Sequence, residues 1–119
     1  MSRLYEMKVE LPRINPLKED AILGECCSEW YFQRADFYVD PSARPNRLLT
    51  CTAPGFMRVG ESEDEFVKRL TNAIWKANGA YCRVIIQTTY LESVPPNETH
   101  ELGVEDYKMF KEGQEADDE

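Results

Sequence analysis

The stretch from Ser62 to Gly79, SEDEFVKRLTNAIWKANG, constrains this chain most, because both ends of a helix are written into it. Ser62 and Glu65 form a capping box, in which each side chain accepts a hydrogen bond from the other residue's backbone N–H. Glu63, Asp64 and Glu65 put negative charge at the positive end of the helix dipole. Phe66, Val67, Leu70, Ala73, Ile74 and Ala77 recur at helical spacing, so one face is apolar. Asn78-Gly79 supplies the stop, since glycine readily takes the left-handed conformation that closes a helix.

Strand-like runs surround this helix. Residues 3–11, RLYEMKVEL, alternate cleanly, with Tyr5, Met7, Val9 and Leu11 on one side. Asn15 and Pro16 then suit the start of a helix running to about Trp30. Residues 35–40 and 47–53 read as two strands joined by the turn-rich PSARPN, and PGFMRVGE either extends the second or begins a loop. Residues 80–92 read as a long strand rich in β-branched side chains. SVPPNET is expected to end it, and VEDYKMF to form a helical turn or an edge strand. The order β-α-β-β-α-β predicts an α+β fold of the ferredoxin-like type, a four-stranded antiparallel sheet with two helices on one face.

The length of 119 residues fits one domain, expected over residues 1–111. Residues 105–119 hold seven acids and two bases, a net of −5 out of the total of −8, which leaves −3 for residues 1–104. The end at 112–119 offers almost nothing to bury and is expected to be a disordered acidic tail. No apolar run approaches the ~20 residues of a membrane span, and the N-terminus lacks the pattern of a secretory signal. A cytoplasmic location with no membrane partner is expected.

The stretch GECCSEW poses a chemical question. Cys26 and Cys27 are adjacent, and Cys51 and Cys82 complete the set of four. No C-x-x-C pair is present, and neighbouring helical residues point about 100° apart, so Cys26 and Cys27 do not aim at one metal. Ile22, Cys26 and Trp30 form one helical row, with Leu23 and Cys27 beside it. Both cysteines therefore read as core filler on an apolar stripe, and as free thiols. The single His100 has no motif linking it to a thiol and reads as a solvated loop residue. The acids of ESEDE read as a helix start. No catalytic constellation, metal set or phosphate loop emerges, so a non-enzymatic domain without cofactor is expected.

Two features point to binding. Residues 41–60 contain Arg44, Arg47 and Arg58 and no acid, a local positive patch suited to an anion or an acidic partner. The strand at 80–92 is apolar on both sides, with Tyr81, Ile85 and Leu91 opposite Cys82, Val84 and Ile86. Its outer face needs cover, and a second copy of the chain or another protein would supply it. The leading expectation is a protein-protein binding or assembly domain, most simply a homodimer, with Tyr81, Ile85 and Leu91 at the contact. One alternative is a small enzyme or ligand-binding protein that grips an anion with Arg44, Arg47 and Arg58. Another is an acidic inhibitor or decoy of a nucleic-acid-binding protein. Direct RNA binding is disfavoured, because the third strand lacks the aromatics that stack bases.

Overall fold

The computed structural model describes residues 3–39, 48–91 and 98–117. Their elements run β1 (Arg3–Leu11), α1 (Glu19–Glu29), β2 (Tyr38–Val39), β3 (Leu49–Met57), α2 (Glu63–Asn78), β4 (Ile85–Tyr90), β5 (Glu98–Glu101) and α3 (Val104–Asp117). All strands join one antiparallel sheet in the order β2-β3-β1-β4-β5. The α+β class and the antiparallel sheet match expectation. Among the described residues the sheet has five strands rather than four, and there are three helices rather than two. The added strand β5 is only four residues, ETHE, with threonine its single β-branched member, so composition gives no sign of it.

The alternation of residues 3–11 explains why β1 takes the centre. It pairs with β3 from Arg3↔Met57 to Leu11↔Leu49 and with β4 from Tyr5↔Tyr90 to Glu10↔Ile85. Tyr5, Met7, Val9 and Leu11 face the core, where they meet Cys51, Ala53, Met57 and Ile86 from neighbouring strands. Ile22 and Cys26 of α1 and Phe66, Leu70, Ile74 and Trp75 of α2 close over that side.

The entry to α1 is a single 3-10 turn at Pro16–Lys18, capped by the Asn15 side chain, which accepts from the Leu17 N–H at 3.0 Å. The capping box of α2 forms as expected, and Gly79 closes the helix with a φ of 79°. β3 carries on through Pro54 and Gly55 to Met57. Among the described residues β2 covers only its first part, so Pro54 lies on an edge, where a missing N–H is tolerated. At Gly55 the ring of Tyr31 lies 1.9 Å from where a Cβ would stand, so only glycine fits beneath it.

The strand expected over 80–92 is shorter, at Ile85–Tyr90. Residues before it serve the helix instead: the Trp75 indole donates to the Cys82 carbonyl at 2.8 Å. Tyr81 therefore turns toward α2 and α3, packing 5.8 Å from both Trp75 and Tyr107. Trp75 and Tyr107 meet edge to face at 5.2 Å, which fastens α3 to α2. No described helix is long and apolar enough to cross a membrane.

Candidate functional site

Of the residues singled out from sequence, Arg58, Tyr81, Ile85 and Leu91 lie among the described residues. Arg44 and Arg47 lie outside the described residues. Arg58 is 62% exposed and faces Glu29 at 3.8 Å. Glu29 itself belongs to a closed ionic knot. Arg69 of α2 grips Glu61 with two hydrogen bonds of 2.9 Å and also bonds the carboxylate and the backbone carbonyl of Glu29, the latter at 3.1 Å. The Arg69 side chain is only 19% exposed. One guanidinium thus ties the end of α1, the loop before α2 and α2 itself.

Ile85 lies on the open face of the sheet, half-buried between Glu10 of β1 and Glu101 of β5. Leu91 follows the last residue of β4, and its N–H bonds the Leu4 carbonyl at 3.0 Å. Leu91, just past β4, Leu4 of β1 and its partner Phe56 of β3 form one apolar row, with Phe56 53% exposed. Tyr81 is not part of it, because it lies in the aromatic cluster with Trp75 and Tyr107.

The cysteines are all free. Cys26, Cys51 and Cys82 are buried and Cys27 half-buried. Burial pushes the Cys51 and Cys82 thiols up to about 11, and pushes Cys26 up as well. These three are protonated packing groups at neutral pH.

A polar cluster that the sequence reading missed lies where α2 begins, beneath β5. Register explains it: Ile86 and Thr88 face the core, so their β5 partners His100 and Glu98 face the helix side as well. Glu63, the first residue of α2, meets them there. Its Oε2 accepts from the Tyr5 hydroxyl at 2.9 Å, and its Oε1 accepts from the Thr88 hydroxyl at 2.6 Å. His100 Nε2 lies 3.2 Å from the Thr88 oxygen, 3.5 Å from Glu63 Oε1 and 3.7 Å from Glu98 Oε2. His100 Nδ1 faces Asp64 at 3.8 Å. The His100 side chain is 16% exposed, so it is not a solvated loop residue.

The electrostatics are one-sided. Burial works against ionisation of Glu63, but hydrogen bonds from Thr88, Tyr5 and His100 outweigh it and hold the carboxyl below its ordinary range. Burial and then the bond to Glu63 push Tyr5 up to about 12, so it stays a donor. Among the described residues no lysine or arginine pairs with Glu63, Asp64 or Glu98. His100 faces three carboxylates alone.

His100 also lines a cleft of about 600 Å3 between α2, β5 and α3. Val67, Leu102, Met109 and Phe110 give it apolar walls, Asp64 and Asp106 set two acids against Lys68, and Glu101 is held by two hydrogen bonds from Arg83, at 2.7 and 3.1 Å. The signal available in sequence was the period-two pairing of Glu98 with His100 in ETHE.

No family model and no curated protein matches the chain. A solved phage SAM lyase, in complex with S-methyl-5'-thioadenosine, is similar over 86% of this chain and 92% of that one, at 11% identity and a TM-score of 0.37. A likeness at that level bears on neither fold nor function here.

Proposed function

We propose that this chain is a ferredoxin-like domain, extended by β5 and α3, that binds a small ligand in the cleft between α2, β5 and α3. The sheet order β2-β3-β1-β4 and the elements β-α-β-β-α-β support the ferredoxin-like assignment. The observation that carries the ligand reading is the half-buried Tyr5–Glu63–Thr88–His100 network opening onto an apolar-walled cleft. Concave apolar sites with a few converging polar groups are where small ligands bind. Asp64 and Asp106 at the mouth, against the single Lys68, favour a ligand with an apolar body and a cationic head, rather than the anion expected from the arginines.

A panel of arylalkylamines, with arylalkyl carboxylates of equal size as controls, tests this by thermal shift in the presence of a chelator. Amines should raise the melting temperature and carboxylates should not. Met109, which is 71% exposed, lines the cleft, so Met109→Lys should remove the amine response without harming the fold. Equal silence of both panels, or an amine response that survives Met109→Lys, would sink the reading.

The apolar row Phe56–Leu4–Leu91 favours a second reading, assembly of two copies through the open sheet face. Sedimentation of Phe56→Glu and Ile85→Glu tests it. A protein that is monomeric before substitution ends the idea.

A further inference from the structure

We propose that Glu63, Glu98 and His100 form a binding site for a single first-row divalent transition ion, with zinc as its best occupant. This site stands beside the cleft and does not depend on the cleft's ligand. Three observations lead to it.

The first is spacing. One ligand atom from each of the three residues lies within 4.8 Å of the other two. His100 Nε2 is 3.5 Å from Glu63 and 3.7 Å from Glu98. A charge-assisted hydrogen bond would draw such pairs to about 2.7–2.9 Å. Two ligands on one tetrahedral zinc, each bonded at about 2.0–2.2 Å, stand about 3.3–3.5 Å apart. Both separations are longer than a tight ion pair and near the separation an ion between the groups would set. Glu98 is 69% exposed and free to close the remaining gap.

The second is orientation. A metal-bound imidazole needs a bare nitrogen toward the metal, and a carboxylate behind the ring favours the tautomer that provides it. Asp64 lies on the Nδ1 side of His100 at 3.8 Å, where it can take up the ring proton when an ion displaces the Nε2 contact with the Thr88 oxygen. Tyr5 and Thr88 fix Glu63 through both of its oxygens. Two of the three ligands are thus held before any ion arrives.

The third is charge. The three carboxylates around His100 have no lysine or arginine partner among the described residues. A dication supplies the missing charge. Mixed imidazole and carboxylate donors select zinc, or manganese and its neighbours, over magnesium and calcium, which take all-oxygen shells. With three protein ligands a fourth position stays open to water.

The test is equilibrium dialysis and thermal shift with zinc alone, on reduced, chelator-stripped full-length protein. The expected result is one zinc per chain and a raised melting temperature, with no response to magnesium at the same concentration. Glu98→Gln changes an exposed side chain and should leave the melting temperature of the zinc-free protein unchanged while weakening zinc binding by at least about tenfold. His100→Ala should abolish binding, and Cys27→Ser should leave it intact. Absence of stoichiometric zinc, or zinc binding that survives both Glu98→Gln and His100→Ala, overturns the proposal. Loss of binding in Cys27→Ser overturns it too, by moving the metal to a thiol. The amine panel is run with chelator, so failure of the cleft reading and failure of the metal site are seen separately.

Discussion

Two charged knots flank the start of α2, and they are built on opposite principles. On the side of α1, Arg69 sits between Glu61 and Glu29. On the side of β5, His100 sits among Glu63, Asp64 and Glu98. In the first knot a permanent cation with a planar fork meets two carboxylates, and four of its hydrogen bonds are formed within the chain. In the second the central group is an imidazole rather than a permanent cation, and the acids outnumber it. A closed knot spends its charge on holding elements together. An open knot keeps charge unspent, and that is the condition of a site rather than of a strut.

The largest effect expected from this contrast is at Arg69. Arg69→Met keeps the apolar stem but leaves Glu61, 13% exposed, without its guanidinium and Glu29, 22% exposed, with only the exposed Arg58 at 3.8 Å. Stripping partly buried carboxylates of that partner should cost about 2–4 kcal/mol, read from the urea midpoint. The zinc response of the stabler fraction should be unchanged. A loss below about 0.5 kcal/mol would place Arg69 among ordinary surface pairs and erase the distinction.

Glu63→Gln should show the reverse pattern. The amide still offers an acceptor to Tyr5 or Thr88, so stability should fall by about 1 kcal/mol or less. Zinc stabilisation should vanish, because a neutral amide is a poor ligand for a transition ion. A variant that loses several kcal/mol and keeps its zinc response would make Glu63 structural and the second knot closed after all.

The contrast also shows what a sequence can and cannot disclose. The capping box of Ser62 and Glu65 and the alternation of β1 were legible, because each depends on residues close in the chain. The burial of Cys26 was legible for the same reason, from its four-residue spacing to Ile22 and Trp30. Neither knot was legible. Arg69 reaches Glu29 across 40 residues, and Glu63 meets Thr88 across 25. The acids of SEDE had a sufficient local explanation in the helix dipole, so nothing called for a second one. His100 was hidden by the brevity of β5. Tyr81 was misplaced because the β-branched run of 80–92 implied a continuous strand, whereas the Trp75 indole holds the Cys82 carbonyl outside the ladder. Local pattern thus placed the elements, and long-range pairing decided which side chains met.

The smallest expected effect tests the contrast by converting one knot into the other. Glu98→Lys would put a permanent cation beside Glu63 and His100, as Arg69 stands beside Glu61 and Glu29. Glu98 is 69% exposed, so the new pair would be largely solvated and worth only about 0.2–1 kcal/mol. The zinc-free variant should therefore melt slightly above the parent protein. It should no longer respond to zinc, since a ligand has gone and a fixed positive charge stands where the ion would sit. A small gain in stability coupled to the loss of the metal response is the signature of charge held in reserve. If Glu98→Lys instead destabilised the metal-free protein, the acids around His100 would already be satisfied within the chain, and the open knot would be a second strut.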